Sequence, residues 1–473
     1  MAEINSSSLL RSRTVGLAAV FVVLGLLLIW QVLVDLGLID PVRFSHPTAV
    51  LQTFGDGKFL RRLLAMFVQL AVVLFLGGLI GLTIGALGSR TSWLALSLLR
   101  FLRIGFWIPF FVFWPLPIWP PKEGYLYDPI IWVWLVSVAT VSLSTCYSYL
   151  AARFILGLER RKLYHHLLRL MILESFFISL ISQAWVGEYG WISYFVMRQG
   201  GTAYGYAALL VMVTFLFLIE LSFRSSFILT AQLRSTTITK ELPKANRRSL
   251  WGVFLFVLMC LVAWHLLRVP LMRYLSLASP IEILKAAYGM VVAGSPTSKV
   301  DVPMWQHLTV SFVEMSVGLM ISGGAALVVR KLLSSFGTFR TIVLPLLPLT
   351  YSVPLVVPLL FIHWMGLIGP KLATLVIAFI SFYPFIEVLW GFRDRPLFFQ
   401  ILLAVDEALP FAFAGMLFGE LWGTVAGLGY FMELSRAYFR IQDGVAVSLM
   451  TLLLLVVLSS ILRWIVKRLY FSG

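Results

Sequence analysis

The chain has 473 residues, of which 60% are apolar and 12% charged, with a formal charge of +16. A soluble chain of this size needs far more polar surface to cover its core, so an ordinary water-soluble globule is excluded. The excess of Lys and Arg lies in short stretches between apolar runs, where the positive-inside rule puts it, and no basic soluble domain offers a nucleic-acid surface.

The apolar runs last about 18–25 residues and lack the alternation of barrel strands, which predicts transmembrane helices. Met1–Arg13 is short, polar and basic, and the following run is too long for a signal h-region, so it is read as the first span. Spans are expected near Val15–Leu36, Leu63–Leu87, Trp93–Trp119, Ile130–Ala152, Leu167–Val186 and Tyr204–Phe223. The polar, basic segment Arg224–Ser249 follows as a linker. A second series is expected near Leu250–Val269, His307–Val329, Thr338–Trp364, Leu372–Trp390, Gln400–Trp422 and Gly444–Ile465. The fold class expected is therefore an all-α integral membrane protein of about twelve spans. It divides into a first half (1–223), a cytoplasmic linker (224–249) and a second half (250–473). An even number of spans puts both termini and the linker on one side, and the distribution of Lys and Arg makes that side cytoplasmic.

Two pairs of segments mark an internal duplication. Ser45–Leu51 resembles Ala278–Leu284, with Pro47 matching Pro280 (280 − 47 = 233). Ser193-Tyr194-Phe195 resembles Gly429-Tyr430-Phe431 (430 − 194 = 236). Copies with an even number of spans point the same way, as parallel repeats of about six helices related by an axis along the membrane normal.

Charges at membrane depth are costly and face a protein interior or cavity. Those expected inside spans are Glu174, Glu220, Glu314, Glu387, Glu407, Glu420, Arg100, Arg103 and His363. Of these, Glu314, Glu420 and His363, together with Trp364, are read as candidates to line a polar pathway between the halves. Cys146 and Cys260 both fall in apolar runs and read as small core residues. No metal-ligand spacing, phosphate loop or nucleophile–base pair stands out, so neither an enzyme nor a cofactor is expected, and the chain itself would not hydrolyse ATP.

The second half carries an ordered series of motifs. Trp305–Phe312 leads through Gly318 into a span. It is followed by Val353–Lys371, Ser381-Phe382-Tyr383-Pro384, Ala408-Leu409-Pro410, Gly419-Glu420-Leu421-Trp422 and Ala426–Tyr430. In this order and spacing the series resembles the membrane permease of bacterial ABC importers of the nitrate/sulfonate/taurine/bicarbonate type. The resemblance covers Ser279 to the C-terminus and, more weakly, Ser45–Phe223. It implies two permease copies fused in one bacterial inner-membrane protein, forming a translocation pathway for a small anionic solute. Its implied partners are ATP-binding subunits and a periplasmic or lipid-anchored solute-binding protein.

One departure from that family is expected to matter. The cytoplasmic EAA loop, a short helix that docks into the ATPase in such permeases, is missing from both copies. At its place stand only the short basic loops with Arg160, Arg161 and Lys162, and with Arg393, Asp394 and Arg395. Two alternatives therefore accompany the importer reading: a non-transporting scaffold or accessory subunit descended from a permease, and a secondary transporter of six plus six spans. Any substrate contact is expected in the second half, which has Gly427-Leu428-Gly429 and Glu420 where the first has Trp191-Ile192-Ser193 and Ala184.

Overall fold

The computed structural model describes residues 28–40, 45–105, 129–151, 203–222, 247–271, 278–292, 304–336, 369–392, 395–421, 424–437 and 440–470, with positions 25, 153, 167, 168, 171 and 172. Among these the secondary structure is helical and there is no strand. In chain order the helices are α1 (Pro47–Thr53), α2 (Gly57–Gly88), α3 (Ser92–Gly105), α4 (Pro129–Ala151), α5 (Ala203–Ser222) and α6 (Arg247–Leu271). They continue as α7 (Pro280–Val292), α8 (Met304–Ser335), α9 (Pro370–Gly391), α10 (Leu397–Leu421), α11 (Leu428–Ala437) and α12 (Ile441–Tyr470).

Five of these are long and apolar enough to cross a bilayer: α2, α8, α9, Leu397–Leu417 within α10 and Gln442–Val466 within α12. Helices α2 and α8 have 32 residues each, or about 48 Å at 1.5 Å per residue, more than the ~30 Å of hydrocarbon. Their outer faces show the apolar side chains that a lipid phase demands. Leu64, Phe75 and Leu79 are exposed on α2, and Val313, Met320 and Val328 on α8. The protein is thus membrane-embedded. Most of the segments predicted as spans coincide with helices within a few residues, whereas Thr338–Trp364, the stretch 106–119 of Trp93–Trp119 and most of Val15–Leu36 and Leu167–Val186 lie outside the described residues.

Three short helices are additions to the sequence reading. Both α1 and α7 open on proline at the first helical turn, where its missing N–H costs nothing. Helix α7 carries a reciprocal capping box: Ser279 Oγ accepts from the Glu282 N–H at 3.1 Å, and Glu282 Oε2 accepts from the Ser279 N–H at 2.7 Å. Helix α11 packs against both α10 and α12.

Packing between helices rests on small residues, because lipid offers no hydrophobic driving force between them and close approach must supply dispersion. Gly77, Gly81 and Gly85 of α2 face Val141, Thr145 and Tyr149 of α4, so the two helices advance together and run parallel. Gly318 and Gly323 of α8 face Ile377 and Phe385 of α9, again in parallel. Gly415 and Gly419 of α10 face Ile377 and Ala373 of α9, which sets α10 antiparallel to α9. Only five residues, Phe392–Pro396, join that pair. Gly252 of α6 meets Ser97 and Trp93 of α3.

The core of the second part has two regions. Met315, Ile377, Phe413, Met416, Phe431 and Val445 fill one. Ala326, Tyr383, Phe385, Leu403 and Val466 fill the other. Asp406 of α10 is buried between them, accepting from Arg463 Nε at 2.7 Å and from Ser459 Oγ at 2.5 Å, both on α12. Near the start of α2, Asp56 caps the helix by accepting from the Lys58 N–H at 2.8 Å and also accepts the Tyr204 hydroxyl of α5. Those two donors, the phenol first, hold its carboxyl below the ordinary value.

Candidate functional site

Along α8, His307, Ser311 and Glu314 stand at i, i+4 and i+7, one face of a helix, and all three are buried. That face meets the end of α10, where Glu420 is fully buried, and the start of α11. A helix N-terminus leaves its first N–H groups without intrahelical partners. Here three side chains take three successive ones. His307 Nδ1 accepts from the Gly427 N–H at 3.0 Å, Ser311 Oγ from the Leu428 N–H at 2.8 Å, and Glu420 Oε2 from the Gly429 N–H at 2.6 Å. Ser311 Oγ in turn donates its hydroxyl hydrogen bond to Glu420 Oε1. An acidic side chain at this end also suits the positive pole of the helix dipole.

The backbone fits this knot closely. Gly427 has φ +121°, which a side chain rarely adopts. A Cβ there would press into the Glu420 carboxyl group, and a Cβ on Gly429 would come within 2.9 Å of Glu420 Cβ. The imidazole of His307 stacks on Tyr430, with ring centroids 6.1 Å apart, and meets Phe431 edge-on at 5.5 Å. Because Nδ1 is the acceptor, the neutral ring carries its proton on Nε2. Thr424 Oγ1 donates back to the Glu420 carbonyl at 3.0 Å and closes the turn leaving α10.

Glu314 is different. It is 3% exposed, its carboxyl lies at hydrogen-bonding range of the Glu420 carboxyl, and no N–H or hydroxyl donor among the described residues reaches its oxygens. Among those residues no group of three or more His, Cys, Asp and Glu gathers as a divalent metal would require.

Of the pathway candidates, Glu314 and Glu420 are therefore brought together, while His363 and Trp364 lie outside the described residues. Among the loop residues, Arg160, Arg161, Lys162, Arg393 and Asp394 also lie outside them. Arg395 is exposed; its N–H donates to the Phe392 carbonyl at 2.9 Å and its own carbonyl accepts from Gln400 Nε2. The sequence reading passed over His307 and Ser311 as site residues, although their spacing with Glu314 was a signal. It also passed over Asp406, choosing its half-buried neighbour Glu407 as the ionisable group in the span.

No protein-family model matches the chain, and neither a curated protein nor a solved structure matches it.

Proposed function

We propose that the chain is the transmembrane subunit of an ABC-type importer, two permease-like repeats in one polypeptide enclosing a pathway for a small anionic solute. The observation that carries this reading is a correspondence between α2 and α8. Both helices have 32 residues. Gly77, Gly81 and Gly85 match Gly318, Ser322 and Ala326 at one offset (318 − 77 = 241, 322 − 81 = 241, 326 − 85 = 241), and all six are buried. The partners correspond as well, since α2 packs on α4 as α8 packs on α9, and α1 on α5 as α7 on α12. Duplicated, parallel bundles are an architecture that membrane transporters use.

At the same offset the first half replaces the polar face. Met66, Leu70 and Val73, all buried, stand where the second half has His307, Ser311 and Glu314 (307 − 66 = 241). Under this proposal the solute contacts concentrate in the second half, the cytoplasmic face receives ATP-binding subunits, and a solute-binding protein delivers from outside. The membrane is the bacterial inner membrane, with both termini and the linker cytoplasmic.

A second reading has its own support. The five-residue connection Phe392–Pro396 leaves no room for a docking helix between α9 and α10, which favours a non-transporting scaffold. The deciding experiment is purification from native membranes in mild detergent, with ATP hydrolysis measured in liposomes. Co-purification of a nucleotide-binding subunit with solute-stimulated hydrolysis supports the importer. Stable assemblies lacking any such subunit refute it and leave the scaffold and the secondary transporter.

A further inference from the structure

The polar knot around α11 explains Glu420 but not Glu314. Glu420 is held by a hydroxyl and a backbone N–H. The adjoining carboxyl of Glu314, buried on α8, meets only the Glu420 carboxyl and takes no N–H or hydroxyl donor among the described residues, and neither acid shows an ion pair there with Lys or Arg. His307 brings no charge to the pair, because the nitrogen it turns to this cluster accepts the Gly427 N–H. Two carboxyl groups placed side by side away from water, with only a hydroxyl and an amide as donors, lack a positive charge. A buried acid without a counter-charge is among the most expensive arrangements a fold holds.

We propose that Glu314, with Glu420 and Ser311, binds one monovalent positive charge in the interior of the second half, either a proton or a desolvated alkali cation. The donor set is all oxygen, two carboxyls and a hydroxyl, which suits a hard ion of single charge. A divalent ion calls for further acidic or imidazole ligands, and among the described residues none joins them. Because Glu420 and Ser311 also fasten the first turn of α11, occupancy of the site and the seating of that helix are coupled. The first half has the apolar Val73 at the matching position, where no such acid stands. The inference stands apart from the transport reading, since a scaffold would bind the ion equally.

The test uses the full chain in detergent, comparing the parent with Glu314→Gln. Sodium or potassium chloride replaces choline chloride at constant ionic strength while thermal unfolding is followed by tryptophan fluorescence. In a second arm, unfolding is followed against pH in choline chloride alone. Among the described residues, titratable groups at this end include Glu420 on α10, His307 on α8, Tyr430 on α11 and the exposed Lys371 of α9. All of them remain in the variant, so the difference between the two proteins reports on Glu314. An alkali site gives the parent a saturable, cation-dependent rise in unfolding temperature that Glu314→Gln loses. A proton site gives no alkali response but a pH dependence that the variant loses. Identical responses of parent and variant in both arms overturn the proposal. If Glu314→Gln does not fold, Glu420→Gln is read by the same criteria.

Discussion

Replacing Gly427 with alanine tests the knot at the start of α11 most directly. The residue sits at φ +121°, and holding a side chain in such a conformation costs about 1–3 kcal/mol. The new Cβ would also occupy the place of the Glu420 carboxyl group, whose Oε1 lies 2.7 Å from it. Displacing that carboxylate breaks its bond to the Gly429 N–H, its bond to Ser311, or both. Each such bond is worth about 1.5–3 kcal/mol. Strain plus one broken bond gives a destabilisation of about 2.5–6 kcal/mol.

The assay is reversible unfolding in mixed micelles, titrated with SDS and followed by tryptophan fluorescence. Gly324→Ala is the control, because its Cβ would have nothing within 4 Å. That change should be neutral or stabilise by up to about 1 kcal/mol through helix propensity. Combining Gly427→Ala with Glu420→Ala removes the collision and leaves the backbone strain, so the double variant should be less destabilised than the sum of the singles. A Gly427→Ala protein within about 0.5 kcal/mol of the parent, the usual range for an uninvolved surface site, would refute the account. So would strict additivity with Glu420→Ala.

Gly318→Ala should loosen the contact of α8 with α9, because its Cβ falls 2.7 Å from Ile377 Cβ. Overpacking of about 1–3 kcal/mol, offset by up to about 1 kcal/mol of helix propensity, is expected in the same unfolding assay. Gly77→Ala, with Cβ 2.9 Å from Val141 Cβ, should behave alike. Asp406→Asn should cost about 1.5–3 kcal/mol, toward the lower end because the Arg463 side chain is 32% exposed; a double-mutant cycle with Arg463→Gln reads the coupling. Tyr204→Phe removes the main donor holding the Asp56 carboxyl low. A carboxyl lowered by folding adds stability above its unfolded value, near 3.8, and that contribution is lost as pH falls through the folded value. The variant should therefore show an Asp56 titration moved upward by NMR and a weaker acid dependence of unfolding from this group.

Helix positions were legible because membrane spans write themselves as long apolar runs, and Leu63–Leu87 or Leu372–Trp390 needed only a few residues added at their ends. The added turns follow from local chemistry that hydropathy ignores: Asp56 caps α2 ahead of its apolar run, and Pro370 opens α9. Helices α1, α7 and α11 were missed as helices because each is short, though Ser279-Pro280 with Glu282 spells a capping box in plain order. At the site, burial of Glu314 and Glu420 followed from the cost of charge in lipid. Their meeting did not, because it depends on α8 crossing α10 at a point 106 residues away in the chain (420 − 314 = 106). Ser311 and His307 look like ordinary polar residues near the end of a span until α11 presents its N–H groups to them.

The fit of Gly427 against Glu420 also sets an order on how this sequence can drift. While the carboxylate is in place, no side chain can enter at 427, so that position is frozen through a residue seven places earlier in the chain. Loss of Glu420 would lift the steric ban but strand the Gly429 N–H and the Ser311 hydroxyl, and only then could the glycine change, by a residue tolerant of its unusual backbone. Descendants are therefore expected to keep both positions or to lose the acid first. A lineage carrying the acid beside a β-branched residue at 427 should not be found folded this way.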